Sequence, residues 1–309
     1  MIYATDESGS FALQRTSFEC SLLTTLVCPP SLRPVLAAFV HARCASWEVS
    51  ELHAAELDAD QRREVAIFLA NQELIWTATV IDNEIFPGAE VEPWREEQVS
   101  IFEKTWQASQ ERGSTHPAYA GRGDEVRRLL RRGASSPSFV EYGIVMPRHV
   151  HDAVQASISR YRGRHWRQDW CSPQLLFDAK DRYGERLLTS ILFPILATDA
   201  MALDLPVDYQ EAGHPLLTTH RSSNSGIDLV SFFDGLPRFP ESHAEPLIQL
   251  VDVIGWIAQR HLRFPDDDDA LDAYRILRRR QFSTDIWRFR FFARRAVDKA
   301  GLRRYAHLL

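Results

Sequence analysis

The strongest strand signal in the chain is the run from Glu73 to Asp82, where Leu-Ile-Trp-Thr-Ala-Thr-Val-Ile stands between two acidic residues. An apolar, β-branched run of this length with polar ends is typical of a strand. Two runs of the same character occur earlier, Ile2 to Asp6 and Thr16 to Cys28. We predict that these two form antiparallel neighbours, because they are close in the chain.

Helical patterns separate and follow these strands. Apolar residues at helical spacing and helix-start residues predict helices at Ser31–Arg43, Asp60–Asn71, Trp94–Arg112, His149–Arg162, a segment ending at Leu196, Glu245–Leu262, Ala270–Gln281 and Asp285–Ala300. Shorter runs predict strands at Trp47–His53, Gln174–Phe177 and Ile227–Phe233. Such a mixture of strands and helices is typical of an α/β protein.

The composition excludes several classes of protein. The 309 residues are 45% hydrophobic and 25% charged, which is normal for one large or two ordinary globular domains. No apolar run approaches the length of a membrane span and no signal peptide is evident, so we expect a cytoplasmic protein. The four cysteines lack zinc-site spacing and are too few for a disulfide scaffold, which predicts free thiols.

Charge is distributed unevenly along the chain. Between Glu48 and Glu103 there are fourteen acidic and three basic side chains, whereas between Arg275 and Arg304 there are eleven basic and two acidic ones. This asymmetry predicts an acidic face and a basic C-terminal segment with interleaved aromatic residues.

Several acids stand at positions that suggest chemistry. Asp6, Asp82 and Asp178 each end an apolar run, although acids there also open turns or cap helices. Asp252 lies inside an apolar helix, with two apolar residues on each side. If buried, Asp252 needs a cation, a hydrogen-bond donor or a shifted pKa, whereas on the wet face of the helix it needs none.

Glu51 belongs to the predicted strand Trp47–His53, in which it shares a face with Val49. A carboxylate on the inward face either ends the strand or has a partner, because an unpaired buried charge is costly. His53 follows two residues later and is either a base or donor near the acids or a structural histidine.

Four motifs occur in a distinctive order. They are Tyr3-x-x-Asp6-Glu7-Ser8-Gly9, Glu51-Leu52-His53 ahead of a helix, Thr79-Val80-Ile81-Asp82, and Ile248-Gln249-Leu250-Val251-Asp252-Val253-Ile254. In this order they resemble the uncharacterised bacterial family known as domain of unknown function 3800. The similarity covers roughly residues 1–262.

The resemblance implies a ribonuclease H-like α/β fold, in which a mixed sheet flanked by helices brings distant carboxylates together around divalent metal. It implies a domain at 1–262 with a helical insert at about 94–165, and a basic C-terminal helical extension at 263–309.

The resemblance also implies a set of site residues. The expected catalytic and metal-ligating residues are Asp6, Glu51, Asp178 and Asp252. The residues expected beside them are Glu7, Ser8, His53 and Gln249. Carboxylates about 4 Å apart repel each other by about 4 kcal/mol at an effective dielectric near 20 unless a cation lies between them. Oxygen-only ligands suit Mg²⁺ or Mn²⁺.

Nucleic acid is the partner that the basic tail suggests. Arginines interleaved with aromatic residues grip phosphates and stack bases; those expected to do so are Arg278, Arg279, Arg288, Arg290 and Arg294. The other interpretation is an amphipathic helix whose arginines face water or the acidic face.

Together these features predict a metal-dependent nuclease, or a related phosphodiester-processing enzyme, that acts on DNA or RNA by a two-metal mechanism. The alternative is a non-catalytic nucleic-acid-binding or protein-binding member of the same fold.

Overall fold

The computed structural model describes residues 1–9, 11, 20–82, 91–111, 121–132, 143–161, 164–179, 182–196, 229–233, 235–282 and 290–292. The chain divides into two compact units. Unit 1 consists of Met1–Pro87, Leu175–Ala179 and Arg238–Leu309, and unit 2 consists of Gly88–Gln174 and Lys180–Pro237. The predicted helical insert at 94–165 lies within unit 2.

The described residues contain a mixed five-stranded sheet. Its strands are β1 (Ile2–Ser8), β2 (Cys20–Cys28), β3 (Ile75–Asp82), β4 (Gln174–Phe177) and β5 (Arg290–Phe292), in the order β4-β1-β2-β3-β5. The β1–β2 and β2–β3 pairs are antiparallel and the β3–β5 pair is parallel. The predicted antiparallel pairing of the first two strands is therefore confirmed. Every residue of β2 and β3 is buried, so both faces of these strands are covered.

Nine α-helices accompany the sheet in the described part of the chain, which confirms the α/β class. They are α1 (Arg33–Trp47), α2 (Ala59–Ala70), α3 (Val91–Glu111), α4 (Gly123–Arg132), α5 (Met146–Arg160), α6 (Arg182–Leu196), α7 (Leu229–Phe232), α8 (Pro246–Arg263) and α9 (Asp268–Leu277). In unit 2, α4 packs against α3 and α6, and α6 also packs against α5. No described helix has the length and apolar character that a membrane crossing requires.

Helix α8 is the central helix of unit 1 and packs against β1, β2 and α1. Its start is fixed by Pro246 at the first position and by Glu245, whose carboxylate accepts the Leu247 N–H. Gly255 allows α8 to approach the sheet closely. A Cβ at this position would lie 2.7 Å from Ser8 Oγ and 3.3 Å from Thr24 Oγ1.

The predicted strand Trp47–His53 is wrong. Helix α1 continues to Trp47 and ends where Glu48 adopts a left-handed conformation with φ 56°. Trp47 still packs against the core, in helical register with Val40. The alternation that suggests a strand is therefore the last turn of a helix followed by a loop, and Glu51 lies in that loop.

Two further predictions also need correction. The predicted strand Ile227–Phe233 contains the short helix α7 instead. The predicted helix Asp285–Ala300 contains β5, so the C-terminal extension is not wholly helical. Two backbone hydrogen bonds attach the segment after α9 to β3, one from Trp76 N to Arg280 O (3.1 Å) and one from Phe282 N to Trp76 O (2.9 Å). The free edge of β3 then pairs with the aromatic-rich segment that follows.

Candidate acidic site in unit 1

Asp252 lies in the middle of α8 and keeps 23% exposure, while Val251 and Val253 beside it are fully buried. Its Oδ2 atom accepts the backbone N–H of Ala54 at 2.8 Å and lies 3.2 Å from Nδ1 of His53. The apolar helix therefore accommodates this carboxylate because the loop before α2 supplies donors to it.

Glu51 reaches the same region from that loop. Its Oε2 atom accepts a hydrogen bond from Ser242 Oγ at 2.8 Å. The next residue, Leu52, donates its backbone N–H to Gln249 Oε1 at 2.8 Å, and Gln249 lies one turn before Asp252 in α8. The loop is thus attached to α8 at two points, one on each side of His53.

Asp178 follows β4 directly, and its backbone N–H lies 3.4 Å from the carbonyl oxygen of Thr5 in β1. Burial is the main reason why the pKa of this carboxyl is raised. The Ala179 N–H lowers the pKa, whereas the negative charges of Asp252 and Glu51 raise it further. Asp178 is therefore within electrostatic reach of the two acids that come from α8 and the loop.

The pKa of Asp252 is also raised, and burial is again the largest cause. The hydrogen bond from Ala54 and the neighbouring His53 oppose this shift, and the charge of Glu51 adds to it. Glu51, His53, Asp178 and Asp252 therefore form one electrostatically coupled group, which we call the acidic site.

Asp6 lies near the end of β1, half-buried and opposite Thr24 of β2. Side chains two residues apart in a strand share a face, as do directly opposed residues in antiparallel strands. Because Ser8 and Thr24 both face Gly255, Asp6 lies on the face of the sheet that α8 covers. Gly255 is one helical turn beyond Asp252, so the register places Asp6 on the same side as the acidic site.

The remaining predicted neighbours have different positions. Ser8 lies on the face of β1 that α8 covers, whereas the alternation of the strand directs Glu7 to the opposite face. Gln249 is 4% exposed and bonds to the loop that carries Glu51. Asp82 is buried at the end of β3, opposite Cys20.

The predicted nucleic-acid-binding arginines are only partly described. Arg278 and Arg279 are exposed just after α9. Arg290 belongs to β5. Arg288 and Arg294 lie outside the described residues. Nucleic-acid binding by this segment remains a prediction.

A divalent cation is compatible with the acidic site through its donor chemistry. Carboxylate oxygens are the ligands that Mg²⁺ and Mn²⁺ prefer, and burial, together with the charge of Glu51, raises the pKa of both aspartates. No group of three or more His, Cys, Asp or Glu side chains in the described residues has an arrangement that could hold a metal. The acidic site would therefore bind Mg²⁺ only in the ion's common mode, in which one or two carboxylates bind it and water or substrate phosphate completes the shell.

Ser242 is a site residue that the sequence does not indicate. It lies in a short 3-10 helix, Ser242–Ala244, just before α8, and its partner Glu51 is 191 positions away in the chain. A serine before a helix is ordinarily a sign of capping, and no local pattern marks it as the partner of a distant carboxylate.

The chain was compared with protein-family models, with curated proteins and with solved structures, and none of them matches it.

Proposed function

We propose that this protein is a divalent-metal-dependent phosphodiester hydrolase that acts on DNA or RNA. The observation that carries the proposal is the acidic site itself, in which Asp252 Oδ2 lies 2.8 Å from the Ala54 nitrogen and 3.2 Å from His53 Nδ1. Burial, with a smaller contribution from the charge of Glu51, raises the pKa of both Asp178 and Asp252. Carboxylates with raised pKa values that share one region are typical of catalytic centres. We also propose a ribonuclease H-like fold for unit 1, on the basis of the mixed sheet β4-β1-β2-β3-β5 and of the packing of α8 on β1 and β2.

One or two of the carboxylates of Asp252, Asp178 and Glu51 would hold the cation, with water or substrate phosphate completing its shell, and Asp6 lies on the same face of the sheet. When bound, the cation supplies Lewis acidity to a phosphate oxygen and lowers the pKa of a bound water. The protein's own contribution is to hold these carboxylates together despite their repulsion. The hydrogen bonds from Ala54 and Ser242 do this for Asp252 and Glu51.

His53 has a defined orientation in this arrangement. Its Nδ1 atom lies 3.2 Å from Asp252 Oδ2, and the ring is 51% exposed. If Nδ1 carries the proton and donates a hydrogen bond to Asp252, Nε2 is left as an acceptor at the edge of the site. His53 is therefore placed to receive a proton or to orient a water beside the scissile phosphate.

A non-catalytic nucleic-acid-binding or protein-binding role is the second candidate. The observation that favours it is the lack, among the described residues, of three side chains already arranged around a metal position. Under this alternative the exposed Arg278 and Arg279 would retain nucleic acid without cleaving it.

Cleavage assays separate the two candidates. We expect the purified chain to cut end-labelled single-stranded DNA, duplex DNA or RNA in Mn²⁺ or Mg²⁺ and not in EDTA. Asp252→Asn should reduce the rate at least 100-fold, on the order of the loss of a catalytic group. Asp272→Asn is the matched control, because Asp272 is a half-exposed aspartate of α9 that pairs with Arg63.

Two results would contradict the hydrolase. One is a wild-type protein that binds these nucleic acids but cleaves none of them in either metal. The other is equal cleavage by the Asp252→Asn variant and the wild type, which would point to a contaminating nuclease.

A further inference from the structure

The orientation of Glu51 has to come from tertiary contacts, because Glu51 lies in a loop. No helix or strand includes residues 48–58. The side chain makes one hydrogen bond to a described residue, in which Ser242 Oγ donates to Oε2 at 2.8 Å.

Gln249 connects the two segments that meet at this hydrogen bond. Its Oε1 atom accepts the N–H of Leu52, the residue after Glu51, at 2.8 Å. Its Nε2 atom donates to the carbonyl oxygen of Ser242 at 2.9 Å. Gln249 is 4% exposed, so its bond to Leu52 is buried, whereas its bond to Ser242 is only partly shielded from water.

These bonds close a ring. It runs from Gln249 to Leu52, along the backbone to Glu51, through the carboxylate to Ser242 Oγ, and through the Ser242 carbonyl back to Gln249. A closed ring fixes the carboxylate more firmly than one isolated contact, because a shift of either segment breaks bonds on both sides.

We propose that Ser242 is a positioning residue that, held by Gln249, fixes the orientation of the Glu51 carboxylate in the acidic site. The inference rests on the proposed function where it concerns metal binding. Ser242 acts through Glu51 and needs no contact with metal or substrate. Groups that hydrogen-bond to metal-ligating carboxylates orient them, and their removal typically weakens metal affinity 10–100-fold.

The chain offers well-matched variants. Ser242→Ala removes only the hydroxyl, because the Ser242 carbonyl still accepts from Gln249. Ser242→Thr keeps a hydroxyl and should restore the contact. Ser50→Ala is the control, since Ser50 is exposed and next to Glu51 in the chain.

The first experiment measures Mn²⁺ affinity by electron paramagnetic resonance of the free ion. We expect Ser242→Ala to weaken binding about 10-fold, Ser242→Thr to bind close to the wild type, and Ser50→Ala to bind like it. In a Glu51→Ala background, Ser242→Ala should have no further effect, because the carboxylate through which it acts is gone. An equal loss in both backgrounds, or no loss in either, would overturn the inference.

The second experiment needs no metal and keeps the inference separate from the proposed function. Melting temperatures in EDTA should fall with Ser242→Ala in the wild-type background and change less in the Glu51→Ala background. If Ser242→Ala lowers the melting temperature by the same amount in both backgrounds, the positioning role is overturned even if the wild type binds Mn²⁺. Coupled effects in a wild type that binds no Mn²⁺ would support the positioning of Glu51 and overturn the proposed hydrolase.

Discussion

Asp252 meets two opposing demands within one side chain. It is buried enough for its pKa to be raised, yet its Oδ2 atom is the acceptor for the N–H of Ala54. The charge is costly there, whereas the acceptor is structurally required. Charge and acceptor can therefore be separated by substitution.

Asp252→Asn and Asp252→Ala should differ in stability. The asparagine keeps an oxygen for Ala54 and removes the repulsion with Glu51, so we expect the free energy of unfolding without metal to equal or exceed that of the wild type. The alanine leaves the Ala54 N–H without its acceptor and should cost about 1–3 kcal/mol. Urea denaturation in EDTA measures both. Equal losses in the two variants would show that the hydrogen bond to Ala54 does not contribute.

The raised pKa values of Asp178 and Asp252 predict a specific pH dependence. Each acid binds its proton more tightly in the folded than in the unfolded state, so its stabilising contribution is complete below the ordinary value of 3.8. That contribution is lost as the pH rises through the folded-state pKa. Relative to an Asp178→Asn/Asp252→Asn variant, the metal-free wild type should therefore lose unfolding free energy from about pH 4 toward neutrality. Denaturation midpoints at several pH values test this. The prediction is contradicted if the difference in unfolding free energy between the wild type and the variant stays constant, or changes in favour of the wild type, as the pH rises.

Helix α8 carries Gln249 and Asp252 to the site, and its distance from the sheet depends on Gly255. The helix crosses β1 and β2 where Ser8 and Thr24 face it. Any side chain at position 255 has to displace one of these residues or move the helix, and with it Asp252.

Gly255→Ala tests this close approach. Alanine gains about 1 kcal/mol in helix propensity, but a Cβ 2.7 Å from Ser8 Oγ overpacks the interface at a cost of about 1–3 kcal/mol. We expect a net loss of about 1 kcal/mol in urea denaturation. The cost should be smaller in a Ser8→Gly background. Gly121→Ala is the control, because a Cβ there meets nothing within 4 Å. Equal costs with and without Ser8 would contradict this explanation.

The sequence predicted the elements whose apolar pattern alone indicates how they are buried. It failed where a hydrogen bond to a residue far away in the chain determines the conformation. The apolar runs of β1 and β3 and the long helix α8 were predictable because their apolar patterns match their burial. The segment after Trp47 was not, because its alternation coincides with the end of a helix and a loop held by Gln249. Asp252 could be singled out by its apolar neighbours, whereas the donors it uses are known only from the structure.

Unit 1 is assembled from three separate stretches of the chain, and each contributes to the acidic site. Glu51 comes from the first stretch, Asp178 from the short second stretch and Asp252 from the third. The repelling acids therefore meet only when all three stretches are folded together. Any ion that relieves the repulsion should bind the folded chain in preference to the unfolded one.

Divalent metal should therefore stabilise the whole protein against unfolding. At a Mn²⁺ concentration 100 times the dissociation constant, binding to the folded state adds about 2.7 kcal/mol, and the melting temperature should rise with each increase in Mn²⁺. Asp252→Asn should lose most of this rise because the site loses a charged ligand, whereas Asp272→Asn should keep it because Asp272 pairs with Arg63 elsewhere in unit 1. Differential scanning calorimetry of the three proteins measures the effect. A rise of the same size in Asp252→Asn would place the metal at another site, and no rise in the wild type would remove the physical basis of the proposed hydrolase.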